Sequence, residues 1–206
     1  MIERIDWLGH GSFRLSGTPL IYLDPWRITR EDAANPDAIL ITHDHFDHCS
    51  PADVAKLRGP NTVILTNQLA ADHLEGAKVL RPWQGYTVGR ALIKTLPAYN
   101  AKHPAKHEGL GFVVSIDHYD IYFAGDTGLI PEMAKVHADI AVLPIGGNHT
   151  MTVDEAVQAV RVIRPTWVIP SHYGSVGEEG GTLLDLKAFI AAVGDLATVV
   201  VPERRK

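Results

Sequence analysis

Between His43 and His48 the chain reads His43-Asp44-His45-Phe46-Asp47-His48, three imidazoles and two carboxylates in six consecutive residues. Zinc, iron and manganese accept these side chains as ligands, and crowding them together is costly unless a cation offsets their charges and dipoles. The apolar run Ala38-Ile39-Leu40-Ile41 comes before them. After them, Ser50-Pro51 reads as the N-cap and first position of a helix that Gly59-Pro60 closes. The cluster is therefore predicted to occupy a strand-to-helix loop. There His43 and His45, two apart, can face one pocket while Asp47 and His48 turn toward a neighbouring position, so that one ion or two could be held. A solvated histidine-rich turn is the alternative, and matching polar segments elsewhere in the chain weigh against it.

His43-x-His45-x-Asp47-His48 resembles the HxHxDH motif of the metallo-β-lactamase superfamily. Further matches follow in order over nearly the whole chain: Leu8-Gly9-His10, Leu23-Asp24-Pro25, Gly125-Asp126-Thr127-Gly128, Pro144-Ile145-Gly146-Gly147-Asn148 and Ser171-His172-Tyr173-Gly174. The combination is most similar to the branch of small metal-dependent hydrolases that includes the ascorbate-phosphate lactonase-like proteins, with N-acylphosphatidylethanolamine phospholipase D as a more distant cousin. This resemblance implies an α+β fold of the αββα four-layer sandwich type. It also implies two divalent ions, zinc first, with manganese or iron as alternatives. By resemblance Asp126 bridges the two metals, and His172 joins Asp47 and His48 on the second. An Asx-turn is the bland reading of Asp126, and a hydrogen-bonded core histidine that of His172.

One ligand departs from the commonest pattern. Many relatives carry a histidine directly after Pro-Ala-aromatic, where this chain has Pro97-Ala98-Tyr99-Asn100. Some carry a Tyr-Asn followed by His-Pro, seen here as Tyr99-Asn100-Ala101-Lys102-His103-Pro104, so His103 is taken as the third ligand beside His43 and His45. His107 and Asn100 stay as alternatives, Asn100 also as a hydrogen-bonding partner of substrate or of a metal-bound water. Asp24 is the candidate to orient a ligand histidine from behind by accepting its other ring proton. His10, Asp47 and Asn148 are the candidate catalytic residues beyond simple ligation, and His149 is expected to shape the pocket. Cys49 reads as a small packing residue, and His73, His118 and His137 carry no functional expectation.

The elements that must position these residues follow from patterning. Short strand-like runs occur at 4–8, 13–15, 20–23, 38–42, 63–65, 78–80, 91–96, 111–116 and 120–124, with Asp117-His118 as a hairpin turn. Later segments alternate: strands at 140–143, 166–170 and 198–201, helices at 153–163 and 183–193, and Thr152-x-x-Glu155 as a capping box. Two face-to-face sheets covered by helices are the expected result. Asp126 and His172 each follow a strand, as the first cluster does, so one rim of the sandwich should gather them.

Composition bounds the function. The 206 residues are 46% hydrophobic, enough for one sizeable core, and residues 1–206 are read as a single domain. The net charge of −5, with no basic run except the end of Glu203-Arg204-Arg205-Lys206, disfavours a nucleic-acid partner. One cysteine, no signal-like start and no apolar stretch near 20 residues point to the cytoplasm without stable membrane association. A small-molecule substrate is expected, and self-association is left open. Two ions sharing a carboxylate would lower the pKa of a bridging water from ~16 toward ~7, giving hydroxide for attack on an ester, lactone or amide. A phosphodiesterase or phospholipase D-like enzyme and a non-catalytic metal-binding protein are the competing classes. Specificity is not assigned from Tyr99, Tyr173, Trp26 or Trp83, which core packing explains as readily as a pocket.

Overall fold

A computed structural model describes residues 1–29, 34–174 and 180–203; the basic residues at 204–206 lie outside the described residues. The first sheet contains β1 (Ile5–Gly9), β2 (Ser12–Leu15), β3 (Ile21–Leu23), β4 (Ala38–Leu40), β5 (Val63–Thr66) and β6 (Lys78–Val79), hydrogen-bonded in that order. The second contains β7 (Gly85–Val88), β8 (Ala91–Pro97), β9 (Leu110–Ile116), β10 (Tyr119–Phe123), β11 (Ile140–Pro144), β12 (Trp167–Ser171) and β13 (Thr198–Val199), ordered from β13 back to β7. Helices α1 (Pro51–Leu57) and α2 (Gln68–Ala71) cover the first sheet, and α3 (Val153–Ile163) and α4 (Leu183–Val193) the second. The four-layer αββα sandwich expected from the sequence is the fold of the protein.

Burial on both faces explains why the strands read as near-continuous apolar runs. In β4, Ala38 and Leu40 face the second sheet, while Ile39 and the following Ile41 pack under α1 beside Val54 and Leu57. In β10, Ile121 and Phe123 enter the space between the sheets, and Tyr122 points the other way toward Val157 and Val160 of α3. Phe13, Phe112 and Phe123 fill the middle of the sandwich, each ring contributing ~1.5–3 kcal/mol by burial.

Each sheet is antiparallel at one end and parallel at the other. Strands β1 to β3 and β7 to β10 are joined as antiparallel neighbours; β3 to β6 and β10 to β13 pair in parallel. The hairpin between β9 and β10 turns at Asp117 and His118, with φ of 51° and 66°, the left-handed pair that a two-residue turn requires. Ser50 caps α1 by accepting from the Asp53 amide with Pro51 in the first turn, and Thr152 and Glu155 form the capping box of α3. Strand β7 and the one-turn α2 were not anticipated. In β7 the exposed Gly85 and Thr87 alternate with Tyr86 and Val88, which pack on the core, but two apolar residues in a four-residue edge strand make too short a pattern to stand out. Among the described residues no helix is long and apolar enough to cross a membrane.

Candidate metal centre

The loop between β4 and α1 brings the dense cluster to one rim. Its turn is closed by the His48 and Cys49 amides donating to the His45 carbonyl, at 3.0 and 2.7 Å. His43, Asp47 and His48 are buried, His45 is half-buried, and Phe46 at the apex faces outward. Asp126 follows β10 on the same rim, His172 follows β12, His103 lies beyond the end of β8, and His10 follows β1. Close approach of the two sheets depends on Gly125: at its φ of 65° a Cβ would stand 2.9 Å from Thr42 Cγ2 and 3.1 Å from the Leu110 carbonyl. Gly11 similarly leaves room for the His48 ring, since a Cβ there would meet His48 Cε1 at 2.8 Å.

Donor atoms converge in three overlapping groups, each spanning no more than 4.8 Å: His43, His45 and His103; His43, His48 and Asp126; and His10, Asp47, His48 and His172. Asp126 is central. Its Oδ1 lies 3.4 Å from His48 Nε2 and its Oδ2 3.2 Å from His172 Nε2. Nε2 of His103 and of His45 meet at 2.7 Å.

A shell of hydrogen bonds aims these rings. The Asp24 carboxylate accepts from the Thr42 amide at 2.7 Å, from Thr42 Oγ1 at 2.7 Å and from His48 Nδ1 at 2.8 Å, so His48 presents Nε2 to the cluster. Because the Thr42 hydroxyl donates to Asp24, it accepts from His43 Nδ1 at 2.9 Å, which leaves His43 Nε2 as a lone pair. His10 Nε2 lies 2.9 Å from Asp47 Oδ2, and the His10 ring packs 3.8 Å from that of His172. Three of these residues, His10, Asp24 and His172, hold left-handed backbone at φ of 53°, 43° and 59°, a strain of ~1–3 kcal/mol each that tends to gather at functional sites.

Electrostatics keep the carboxylates charged. Burial alone would raise the Asp126 pKa, but His172 and His48 hold it well below the usual carboxylate range. Asp47 is likewise lowered against burial, chiefly by the His10 hydrogen bond. Burial depresses His10, depresses His43 well below the ordinary imidazole value with help from His48, and takes His103 down to about 4 with help from His45. His48 goes the other way, because Asp126 and Asp24 outweigh its burial.

The remaining candidates divide. Asn100 does not offer its amide to a ligand: Oδ1 accepts from the Lys102 and His103 amides, and Nδ2 donates to the carbonyls of Asp126 and His149. All four of its hydrogen-bonding positions are used on backbone, so it braces the His103 loop. His107 borders a recess with His43 and His103 but belongs to none of the convergent groups. Asn148 is exposed and outside the cleft; His149 lines it, with His45, Phe46, Asp47, Asp126 and His172 around about 200 Å³. Cys49 packs in the core under α1, its thiol pushed up to about 11 by burial. The sequence reading missed Thr42 as a brace of His43; its place between a strand and the first ligand is the only signal it carries.

The donors fit a metal. His43 Nε2, His48 Nε2, Asp47 Oδ1 and His172 Nε2 are buried without a hydrogen-bond partner. Orphaned lone pairs of this kind, costly when left bare, are satisfied by a cation. The nitrogen and oxygen set, without sulfur, suits zinc, manganese or iron.

Two sheets packed face to face, with this buried histidine–carboxylate cluster on one rim, define a metal-binding sandwich. A family model described as the beta-lactamase superfamily domain matches residues 4–172. A UPF0173 metal-dependent hydrolase of Pyrococcus abyssi (strain GE5 / Orsay) is 33% identical over 217 residues, covering 96% of this chain and 95% of the relative. A second, from Myxococcus xanthus (strain DK1622), is 35% identical over 224 residues, covering 97% and 80%. A crystal structure from Parabacteroides distasonis ATCC 8503 is similar with a TM-score of 0.86 at 30% identity, covering 98% of this chain and 93% of the other. The chain belongs to the metallo-β-lactamase superfamily and, within it, to the metal-dependent hydrolases.

Proposed function

We propose that the chain acts as a single domain that holds two divalent ions, zinc first, and hydrolyses a small ester, lactone or amide. The observation that carries this reading is the overlap of the donor groups: His43, His48 and Asp126 join His43, His45 and His103 on one side to Asp47, His48 and His172 on the other, with the two Asp126 oxygens turned toward His48 and His172. Ions bound there would supply an acidified water and a Lewis acid for the carbonyl oxygen of the bond to be cut. The chain's own groups do the rest. Asp24 fixes the His48 tautomer, and Thr42 fixes that of His43. His10 holds Asp47 through Oδ2, leaving Oδ1 as the oxygen offered to an ion. Asn100 keeps the His103 loop against Asp126. A lactone or ester is favoured over a phosphodiester by the lactonase-like resemblance, and a small substrate over nucleic acid by the net charge of −5.

A panel of chromogenic esters, lactones, amides and phosphodiesters, assayed before and after chelation and after restoring zinc, manganese or iron, tests the reading. Chelator-sensitive turnover of carboxylic substrates that returns with metal is expected. Turnover confined to phosphodiesters transfers the assignment to that class, and metal binding with no turnover of any substrate overturns hydrolysis.

A further inference from the structure

Resting on the reading above, we propose that Phe46, backed by Trp26, forms an apolar subsite at the mouth of the metal centre that recognises a hydrophobic acyl or arylacyl group next to the bond being cut. Phe46 sits between two donors of the cluster, His45 and Asp47. The tight turn that closes on the His45 carbonyl sends the Asp47 side chain inward and leaves the Phe46 ring outside. That ring is 64% exposed, in a loop whose neighbours His43, Asp47, His48 and Cys49 are all buried. It forms one wall of the cleft of about 200 Å³ whose other walls are His45, Asp47, Asp126, His149 and His172. Among the described residues every other wall is polar, so a group that gains by leaving water in this cleft does so against Phe46.

Phe46 does not stand alone. Its ring meets Trp26 edge-on at 6.0 Å and 75°, and Trp26 in turn lies 5.4 Å from the His10 ring. Trp26 is held in place by the fold: its amide donates to Ser12 Oγ, and the next two amides, of Arg27 and Ile28, both donate to the buried Asp53 carboxylate. Arg27, at a φ of 56°, lays its guanidinium over the indole at 4.1 Å. The platform is therefore built before a ligand arrives, which limits the ordering cost of binding. A fixed aromatic edge bordering the donor cluster suits a substrate whose polar, scissile group faces Asp126 and whose apolar group lies along Phe46.

The probes are phenylacetate and acetate, carboxylates that differ only in the apolar group, titrated calorimetrically into the metal-loaded protein and into chelator-treated protein. Wild type is expected to bind phenylacetate roughly 10-fold more tightly than acetate, the lower end of what apolar contacts in enzyme pockets discriminate. In Phe46→Ala the ratio falls toward about 1, and Phe46→Leu, which keeps apolar bulk, retains most of it. Chelation is expected to weaken both acids and leave the ratio in place. If chelation changes neither affinity, the metal reading fails while the subsite stands on its ratio. A wild-type ratio near 1, undetectable binding of both acids, or a ratio that survives Phe46→Ala overturns the subsite.

Discussion

The two halves of the donor cluster are built differently. Asp47, His48 and His172 are all buried and are braced from behind, His48 by Asp24 and Asp47 by His10. Donors and supports come from the ends of β1, β3, β4 and β12, so strands of both sheets contribute to this half. The half formed by His43, His45 and His103 shares only His43 with the sandwich proper. His45 is half-buried, and His103 is carried on a loop beyond β8 whose anchor is the amide of Asn100. Rigid, buried donors hold an ion without first paying to order themselves, whereas donors on a loop must be gathered. Unequal grip on two ions is therefore expected, and substitutions should divide along the same line.

The largest effect belongs to Asp126, which groups with His43 of one half and His48 of the other. Asp126→Ala is expected to remove the shared carboxylate, with metal content falling from about two ions to less than one and turnover by roughly 10³-fold or more, the scale on which positioned electrostatic groups act. Retained activity would show that the halves do not depend on a shared oxygen. His10→Ala should act on the braced half: Asp47 loses the hydrogen bond that holds its Oδ2, and affinity for one ion drops ~10–100-fold in a competitive chelator titration. Asn100→Ala should act on the other half by freeing the His103 loop, with a loss of ~10-fold confined to the weaker ion. If both variants weaken the same ion, the division is wrong.

Asp53→Asn gives the smallest effect and serves as a boundary. Asp53 accepts from the amides of Arg27 and Ile28 and from Lys56 and Ser50; burial works against its charged form, but these hydrogen bonds hold its pKa below the ordinary value. A carboxylate lowered in the folded state contributes stability above its unfolded pKa of ~3.9 and loses it as pH falls through the folded value. The variant is expected to melt earlier at neutral pH, by ~1–3 kcal/mol, with the gap from wild type closing below about pH 4 and no change in metal content. A gap that widens in acid would contradict the sign.

How much of this was legible in the chain depended on how local each feature is. The loop at His43 to His48 could be read because ligand spacing, the preceding apolar strand and the Ser50-Pro51 helix start are contiguous. The two-sheet fold followed from runs buried on both faces. The braces were harder. Asp24 was expected to orient a histidine, but that the histidine is His48 and that Thr42 relays the same carboxylate to His43 depend on residues 18 to 24 positions apart. Asn100 was read as a free polar group because nothing local shows its amide spent on the backbone of Asp126 and His149. Asn148 and His149 are adjacent in sequence, yet His149 lines the cleft and the exposed Asn148 does not, a distinction local spacing does not carry. Strand β7 escaped because its alternation rests on Tyr86 and Val88 alone.

The most direct test is elemental analysis of protein purified without chelator, for wild type and His103→Ala in parallel. Two sites of unequal strength around Asp126 predict about two ions in wild type and about one in the variant, the survivor held by Asp47, His48 and His172. One ion or none in wild type, unchanged by the substitution, would contradict the shared dinuclear centre.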